Sequence, residues 1–312
     1  MSRRRRSQSG AARGRSASTG FFSLFWRIGL ATLLAAAAPQ TVTSAEAPRP
    51  AQRIVSLAPH LTELAFSAGA GDRVVGTVEY SDHPDAARKI PRIGDAFRVD
   101  LERVLALRPD VVIAWESGTP VQTIERIRAL GFTVTTIATR RLTDVAAALR
   151  AIGQIGGAPE EAAHAAAQFE MRIAALRAEY RDRSPVSVFV QINDRPIYTI
   201  NGRHIMSEVV ELCGGRNVFA DLNTLAPVVS IEAVIAANPQ VIIATDDAAP
   251  DAPAQWRRWS HIDAVQKGNV YTISSDQVAR ATTRLADGAT QVCRTLDAAR
   301  ARLGSARSGG SP

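Results

Sequence analysis

The sequence predicts an α/β protein of two lobes joined by one long helix, and three observations carry that prediction. Short apolar runs that read as buried strands alternate with helical segments, the mark of parallel sheets covered on both faces. A motif is written twice, 130 residues apart: Asp100-Leu-Glu-Arg-Val-Leu-Ala-Leu-Arg-Pro-Asp-Val-Val-Ile-Ala and Ser230-Ile-Glu-Ala-Val-Ile-Ala-Ala-Asn-Pro-Gln-Val-Ile-Ile-Ala. Between the two copies lies a helical stretch from Pro159 to about Arg183.

The first 45 residues stand apart. Seven arginines (Arg3, Arg4, Arg5, Arg6, Arg13, Arg15, Arg27) precede the uncharged apolar run Ile28–Ala38 and the small residues Thr43-Ser44-Ala45. The run is shorter than the roughly 20 apolar residues that a bilayer-spanning helix wants. Residues 1–45 therefore read as a signal peptide cleaved after Ala45, with an uncleaved anchor helix or a twin-arginine signal as alternatives. No Cys follows the apolar run to carry a lipid. The remainder is expected to be soluble outside the cytoplasm. These residues hold 7 of the 37 Lys and Arg and none of the 30 Asp and Glu, so residues 46–312 carry 30 of each. The formal charge of +7 for the whole chain belongs to the leader, and nucleic acid is excluded as a partner on electrostatic grounds.

The elements follow in order. Arg53–Leu57 reads as a strand, ending in Ala58-Pro59 and leading into a helix through Thr62–Ala68 that stops at Gly69. Val74–Val78, Val111–Ala114 and Thr133–Ala138 are further strands, with a helix over Val121–Leu130 stopped by Gly131. Residues 52–158 make the first lobe. The connecting helix, residues 159–183, has Pro at its start and Glu160 and Glu161 in its first turn, in accord with the helix dipole. Phe169, Ile173 and Leu176 fall on one of its faces. The second lobe, residues 184–303, repeats the alternation: strand Val186–Ile192, helix Met206–Leu212, strands Val241–Ala244 and Val270–Ile273, and a closing helix Arg284–Leu303. A Ser/Gly-rich tail, 304–312, is expected to be disordered.

The two copies of the motif match in detail. Asp100 and Ser230 are N-caps, Pro109 and Pro239 are stops, and Leu101, Val104, Leu105 and Ile231, Val234, Ile235 are expected to form the core faces. Glu102 and Glu232 lie on the flank. A carboxylate in a first helical turn is ordinary dipole complementation, but here it recurs at the same place in both lobes.

Catalytic chemistry is missing from the sequence. There is no Gly-rich phosphate loop and no nucleophile elbow, and the five histidines (60, 83, 164, 204, 261) are scattered. His60 follows the first strand, where α/β sheets bind ligands. Tyr80, Phe97, Trp115 and Tyr198 sit at strand ends or in loops rather than at helical core spacing, which points to a cleft for a large planar ligand. Trp256 and Trp259 read as packing residues. Cys213 and Cys293, an even pair in an oxidising compartment, read first as a disulfide worth roughly 4 kcal/mol by loop closure, and otherwise as two buried thiols.

Five segments together carry a family resemblance. Arg53-Ile-Val-Ser-Leu-Ala-Pro-His-Leu-Thr-Glu-Leu-Ala-Phe, Tyr80-Ser-Asp-His-Pro, Asp100 through Trp115, Val210-Glu-Leu-Cys-Gly-Gly-Arg-Asn-Val-Phe and Ser275-Asp276 resemble a family of helical-backbone periplasmic binding proteins. That family serves ABC importers of cobalamin, ferric siderophores and haem, and the likeness is to its cobalamin branch over residues 52–303. It implies two Rossmann-like lobes, a non-enzymatic monomer without a cofactor, and a corrinoid cargo held between the lobes. It also implies a permease dimer as partner, met by Glu102 and Glu232, and a Cys213–Cys293 disulfide. Tyr80, Phe97, Trp115, Tyr198 and Asp276 match its cleft positions. The chain departs at Ala226 and at Gln277-Val278, where the enterobacterial cobalamin-binding member carries aromatics. Haem, ligated by His60 or a tyrosine, or a ferric siderophore is the alternative cargo; an enzyme on the same fold is the alternative of another class.

Overall fold

A computed structural model describes residues 49–247 and 249–308. The expected signal peptide and residues 309–312 of the expected tail lie outside the described residues.

In the first lobe β1 (Ile54–Ser56), β2 (Val74–Gly76), β3 (Val111–Trp115) and β4 (Val134–Ile137) form a parallel sheet in the order β2-β1-β3-β4. Val111–Ala114 are buried throughout, as a continuous apolar run between two covered faces requires. Helices α1 (Pro59–Ser67), α2 (Leu101–Leu107), α3 (Val121–Ala129) and α4 (Leu142–Gly156) connect the strands and close the lobe. The expected stops hold: Gly69 and Gly131 take φ of 76° and 90° just past α1 and α3, a backbone region that favours glycine.

Helix α5 (Pro159–Tyr180) is the long connector. It ends at Tyr180, short of the expected Arg183. Ala162, Ala166, Phe169, Ile173, Leu176 and Tyr180 form its buried stripe.

The second lobe comprises β5 (Val186–Gln191), a small hairpin of β6 (Asn193–Asp194) and β7 (Ile197–Tyr198), α6 (Ile205–Leu212), β8 (Gly215–Asn217), α7 (Ile231–Ala237), β9 (Val241–Thr245), α8 (Ala252–Trp256), α9 (Asp263–Gln266), β10 (Val270–Ile273), α10 (Ser275–Val278) and α11 (Leu285–Ser308). Its parallel sheet runs β8-β5-β9-β10, the strand order of the first lobe repeated. Helix α11 continues past the expected end at Leu303 into the segment expected to be tail.

One apolar core runs through both lobes. It joins Ile54 and Leu61 to Leu149 and Ile152 of α4, to Phe169 and Ile173 of α5, and to Val188, Val209 and Leu296. Each outer sheet face has its own smaller core, around Val104 and Val112 in the first lobe and around Val234 and Ile242 in the second. Polar ties cross between the lobes as well. Arg284 donates to both Glu63 oxygens at 2.8 and 2.7 Å, and the Glu63 side chain is only 2% exposed. The Leu142 N–H donates to Glu208 at 2.8 Å. The Cys213–Cys293 disulfide pins the end of α6 to α11. Among the described residues no helix is long and apolar enough to cross a membrane.

Candidate functional site

Two surfaces follow from this frame, one repeated and one shared. The repeated surface is the twice-written motif. Asp100 Oδ1 accepts the N–H groups of Glu102 and Arg103 at 3.1 Å each, and Ser230 Oγ accepts that of Ala233 at 3.2 Å. Both helices end in a left-handed residue, Arg108 (φ 44°) and Asn238 (φ 39°), followed by a buried proline. Val104 and Val234 point into their cores, while Glu102 and Glu232 are exposed. The Glu232 backbone N–H and the Ser230 hydroxyl hold the Glu232 carboxyl below its ordinary pKa.

One expected core residue is corrected. Leu105 is 50% exposed. In the first copy Leu107, at i+3 from Val104, packs on the core instead. The second copy has Ala237 at that position, which leaves the core surface for Ile235 to cover.

The shared surface is a cavity of about 530 Å³ between the lobes. Pro59, His60, Trp115, Ser117, Thr139 and Arg140 line it from the first lobe; Arg203, His204, Ile205, Leu225, Ala279, Arg280 and Ala281 line it from the second. Its first-lobe wall stands at the carboxyl ends of β1 and β3, where the strand order reverses and open α/β sheets place ligands. Ala58-Pro59 turns the chain from β1 into α1 and sets His60 on the opening turn. Trp115 closes β3, and its ring meets the His60 ring edge-on, centroids 5.0 Å apart at 81°. His60 is 8% exposed, and its Nε2 lies 3.2 Å from Thr139 Oγ1. Burial, aided by the Arg280 charge, lowers the His60 pKa to about 4. The Trp115 backbone N–H donates to Thr119 at 3.0 Å, whereas its indole N–H is buried without a hydrogen-bond partner among the described residues.

On the opposite wall His204 caps α6, Nδ1 accepting the Met206 N–H at 3.2 Å, and burial lowers its pKa to about 4. Arg280 reaches Asp82 of the first lobe at 2.8 Å and Asp276 at 3.0 Å. Arg140 is held by both oxygens of Glu116 at 2.9 Å. Arg203 donates to the Asn223 carbonyl.

Of the five residues expected in the cleft, Trp115 lines this cavity, and Asp276 stands one step behind it through Arg280. Tyr80 and Phe97 lie outside the lining, 74% and 70% exposed. Tyr198 is half-buried on β7, bridged to Val228, and also outside the lining. At the two departures from the family pattern, aliphatic surface stands in for the aromatics: Leu225 beside Ala226, and Ala279 and Ala281 beyond the buried Val278. Thr139, Arg140, Arg203, Leu225 and Arg280 are not legible in the sequence, as they come from loops that only tertiary packing brings together. Trp256 packs as expected, buried, its indole N–H on Gln191 Oε1 at 2.8 Å. Among the described residues no cluster of three or more His, Cys, Asp or Glu is arranged to hold a metal ion.

Comparison with known proteins agrees with this architecture. A family model described as periplasmic binding protein matches residues 54–277. The vitamin B12-binding protein of Vibrio cholerae serotype O1 is 39% identical over 250 residues, 80% of this chain and 90% of that protein. Its namesake from Yersinia pestis is 34% identical over 248 residues, 79% and 86% of the two chains. Among solved structures, the periplasmic vitamin B12 binding protein BtuF of Vibrio cholerae superposes with a TM-score of 0.77, covering 81% of this chain and 99% of that one at 39% identity. The periplasmic haem-binding protein RhuT of Roseiflexus, in apo form, gives 0.72 at 25% identity, covering 80% and 98%.

Proposed function

The chain belongs to the periplasmic binding protein family, and on that premise we propose that it captures cobalamin or a related corrinoid between its lobes for an ABC importer. The observation that carries this reading is the cavity between two lobes of repeated topology, walled by the Trp115 ring on one side and by Leu225, Ala279 and Ala281 on the other. Flat and aliphatic surfaces of this kind suit the broad face of a macrocycle. Tyr80, Phe97 and Tyr198 are outer contacts for those parts of a corrinoid that extend beyond the cavity, and Asp276 orients Arg280 towards it.

Delivery falls to Glu102 and Glu232. Each is exposed, sits in the first turn of a short capped helix, and belongs to a different lobe. They form a matched pair of carboxylates for arginines on a permease dimer. The protein acts as a periplasmic monomer, exported by residues 1–45. The core shared by both lobes favours small changes of shape on binding over wide domain closure.

The haem alternative shares the fold but needs an axial ligand. His60 Nε2 already engages Thr139 Oγ1 inside the protein, and among the described residues no tyrosine lines the cavity, which favours the corrinoid. Thermal melting separates the two. Cyanocobalamin at a hundred times its dissociation constant stabilises by about 2.7 kcal/mol if it binds only the folded chain. A melting shift with hemin and none with cyanocobalamin reverses the assignment. With the cognate permease, Glu102→Ala combined with Glu232→Ala abolishes stimulation of ATP hydrolysis and leaves ligand affinity intact; unchanged stimulation reduces both glutamates to helix-dipole partners.

A further inference from the structure

The charges around the inter-lobe cavity are one-sided. Three arginines line it, Arg140, Arg203 and Arg280, and among the described residues no Asp or Glu does. Its two histidines are neutral at neutral pH, held so by burial. Two of the three arginines are already neutralised from behind: Arg140 by Glu116, Arg280 by Asp82 and Asp276. Arg203 differs. Among the described residues its guanidinium meets no carboxylate, and its hydrogen bond goes to the Asn223 backbone carbonyl.

The surrounding loop holds Arg203 in place. Its backbone N–H donates to Asn201 Oδ1 at 3.0 Å, and Asn201 Nδ2 donates to the Leu222 carbonyl at 2.8 Å. The Gly202 N–H donates to the Ala220 carbonyl at 2.9 Å. Arg203 is exposed, and only the Asn223 carbonyl holds its guanidinium; with the loop fixed and no counter-charge beside it, the group is free to take an oxyanion as a bidentate partner.

We propose that Arg203 is a specificity-determining residue of the cleft that pairs with an oxyanion on the bound corrinoid. This rests on the corrinoid reading above. The oxyanion has two possible sources: the phosphodiester of the nucleotide tail, or a carboxylate on the ring periphery where other corrinoids carry an amide. The first source makes the chain favour corrinoids that carry the nucleotide tail over those that lack it; the second makes it favour ring carboxylates over amides.

Calorimetric titration of the mature chain and of Arg203→Ala and Arg203→Lys with three probes tests this. Cyanocobalamin carries the phosphodiester, dicyanocobinamide lacks it, and dicyanocobyrinic acid carries carboxylates without it. Removing a charge-assisted hydrogen bond to the ligand weakens binding roughly tenfold or more. Arg203→Ala is expected to lose that factor for cyanocobalamin alone if the phosphodiester is the partner, or for dicyanocobyrinic acid if a carboxylate is. Dicyanocobinamide is expected to stay within about twofold, because it offers neither group to the guanidinium. Arg203→Lys keeps most of the affinity and its salt dependence. Equal losses for all three probes make Arg203 a piece of wall and overturn the inference, as does no loss for any. Failure of the unsubstituted chain to bind any of the three overturns the corrinoid reading, and this inference with it.

Discussion

The two lobes agree in their frames and differ in their cleft walls. Both sheets have the same strand order, and the helices bearing Glu102 and Glu232 share a capped start, a left-handed end and a buried proline. At the crevice the correspondence ends. In the first lobe the point where strand order reverses opens into the cavity and carries the His60–Trp115 pair. In the second lobe the equivalent point lies between β5 and β9; Gln191 ends β5 there and accepts the indole N–H of Trp256, whose ring is set edge-on to Phe189. That lobe meets the cavity with loop residues instead. The repeated parts suit a partner that itself has two equivalent halves; the divergent parts suit a cargo with two unlike faces.

The comparison breaks most visibly where the lobes are tied together. Glu63 is almost fully buried, and Arg284→Ala leaves its charge unpaired, which costs about 3–5 kcal/mol. Urea unfolding is expected to show that loss in a single transition for both lobes, since they share one core; two separate transitions would mean that the lobes fold independently. A second effect arises from one histidine in each lobe. Folded His60 and His204 take up protons only near pH 4, the unfolded chain near 6.5. Between those values only the unfolded state binds the extra protons, so their contribution is complete above about pH 6.5 and is lost as pH falls towards 4. Each accounts for about 3 kcal/mol over that window, and His204→Gln should remove its share of the slope in stability measured against pH.

Affinity separates the two walls. Trp115→Ala should weaken corrinoid binding by roughly 30-fold or more, as loss of a buried aromatic anchor does. Leu225→Ala should cost less than about tenfold, and equal losses would erase the asymmetry. The smallest test concerns the frame. Asp100→Ala and Ser230→Ala each remove an N-cap worth about 1 kcal/mol, and chemical denaturation should find the two equal to within about 0.5 kcal/mol if the helices are equivalent.

The frame is largely legible in the sequence, because apolar runs, caps and glycine stops are local signals. The exceptions are physical. Helix α4 is hard to read although Leu142, Val145, Ala146, Leu149 and Ile152 repeat at helical spacing, since four alanines and two glycines weaken its apolar contrast. Strand β8, Gly-Arg-Asn, has no strand propensity and owes its conformation to pairing with β5. The cavity is legible only at Trp115, which ends β3, and at His60, on the helical turn that follows β1. Arg203, Leu225 and Arg280 reach it from loops whose convergence depends on how the lobes pack, and no local pattern encodes that. Tyr80 and Phe97 show the converse: their loop positions are local and readable, yet the structure leaves both exposed outside the cavity.

The central claim is that one corrinoid lies between the lobes. Calorimetric titration of cyanocobalamin into the mature chain and into Trp115→Ala tests it most directly. The expected result is saturable one-to-one binding that weakens sharply in the variant while its fold, read by circular dichroism, is unchanged. No saturable heat with the unsubstituted chain, or undiminished affinity without Trp115, would contradict it.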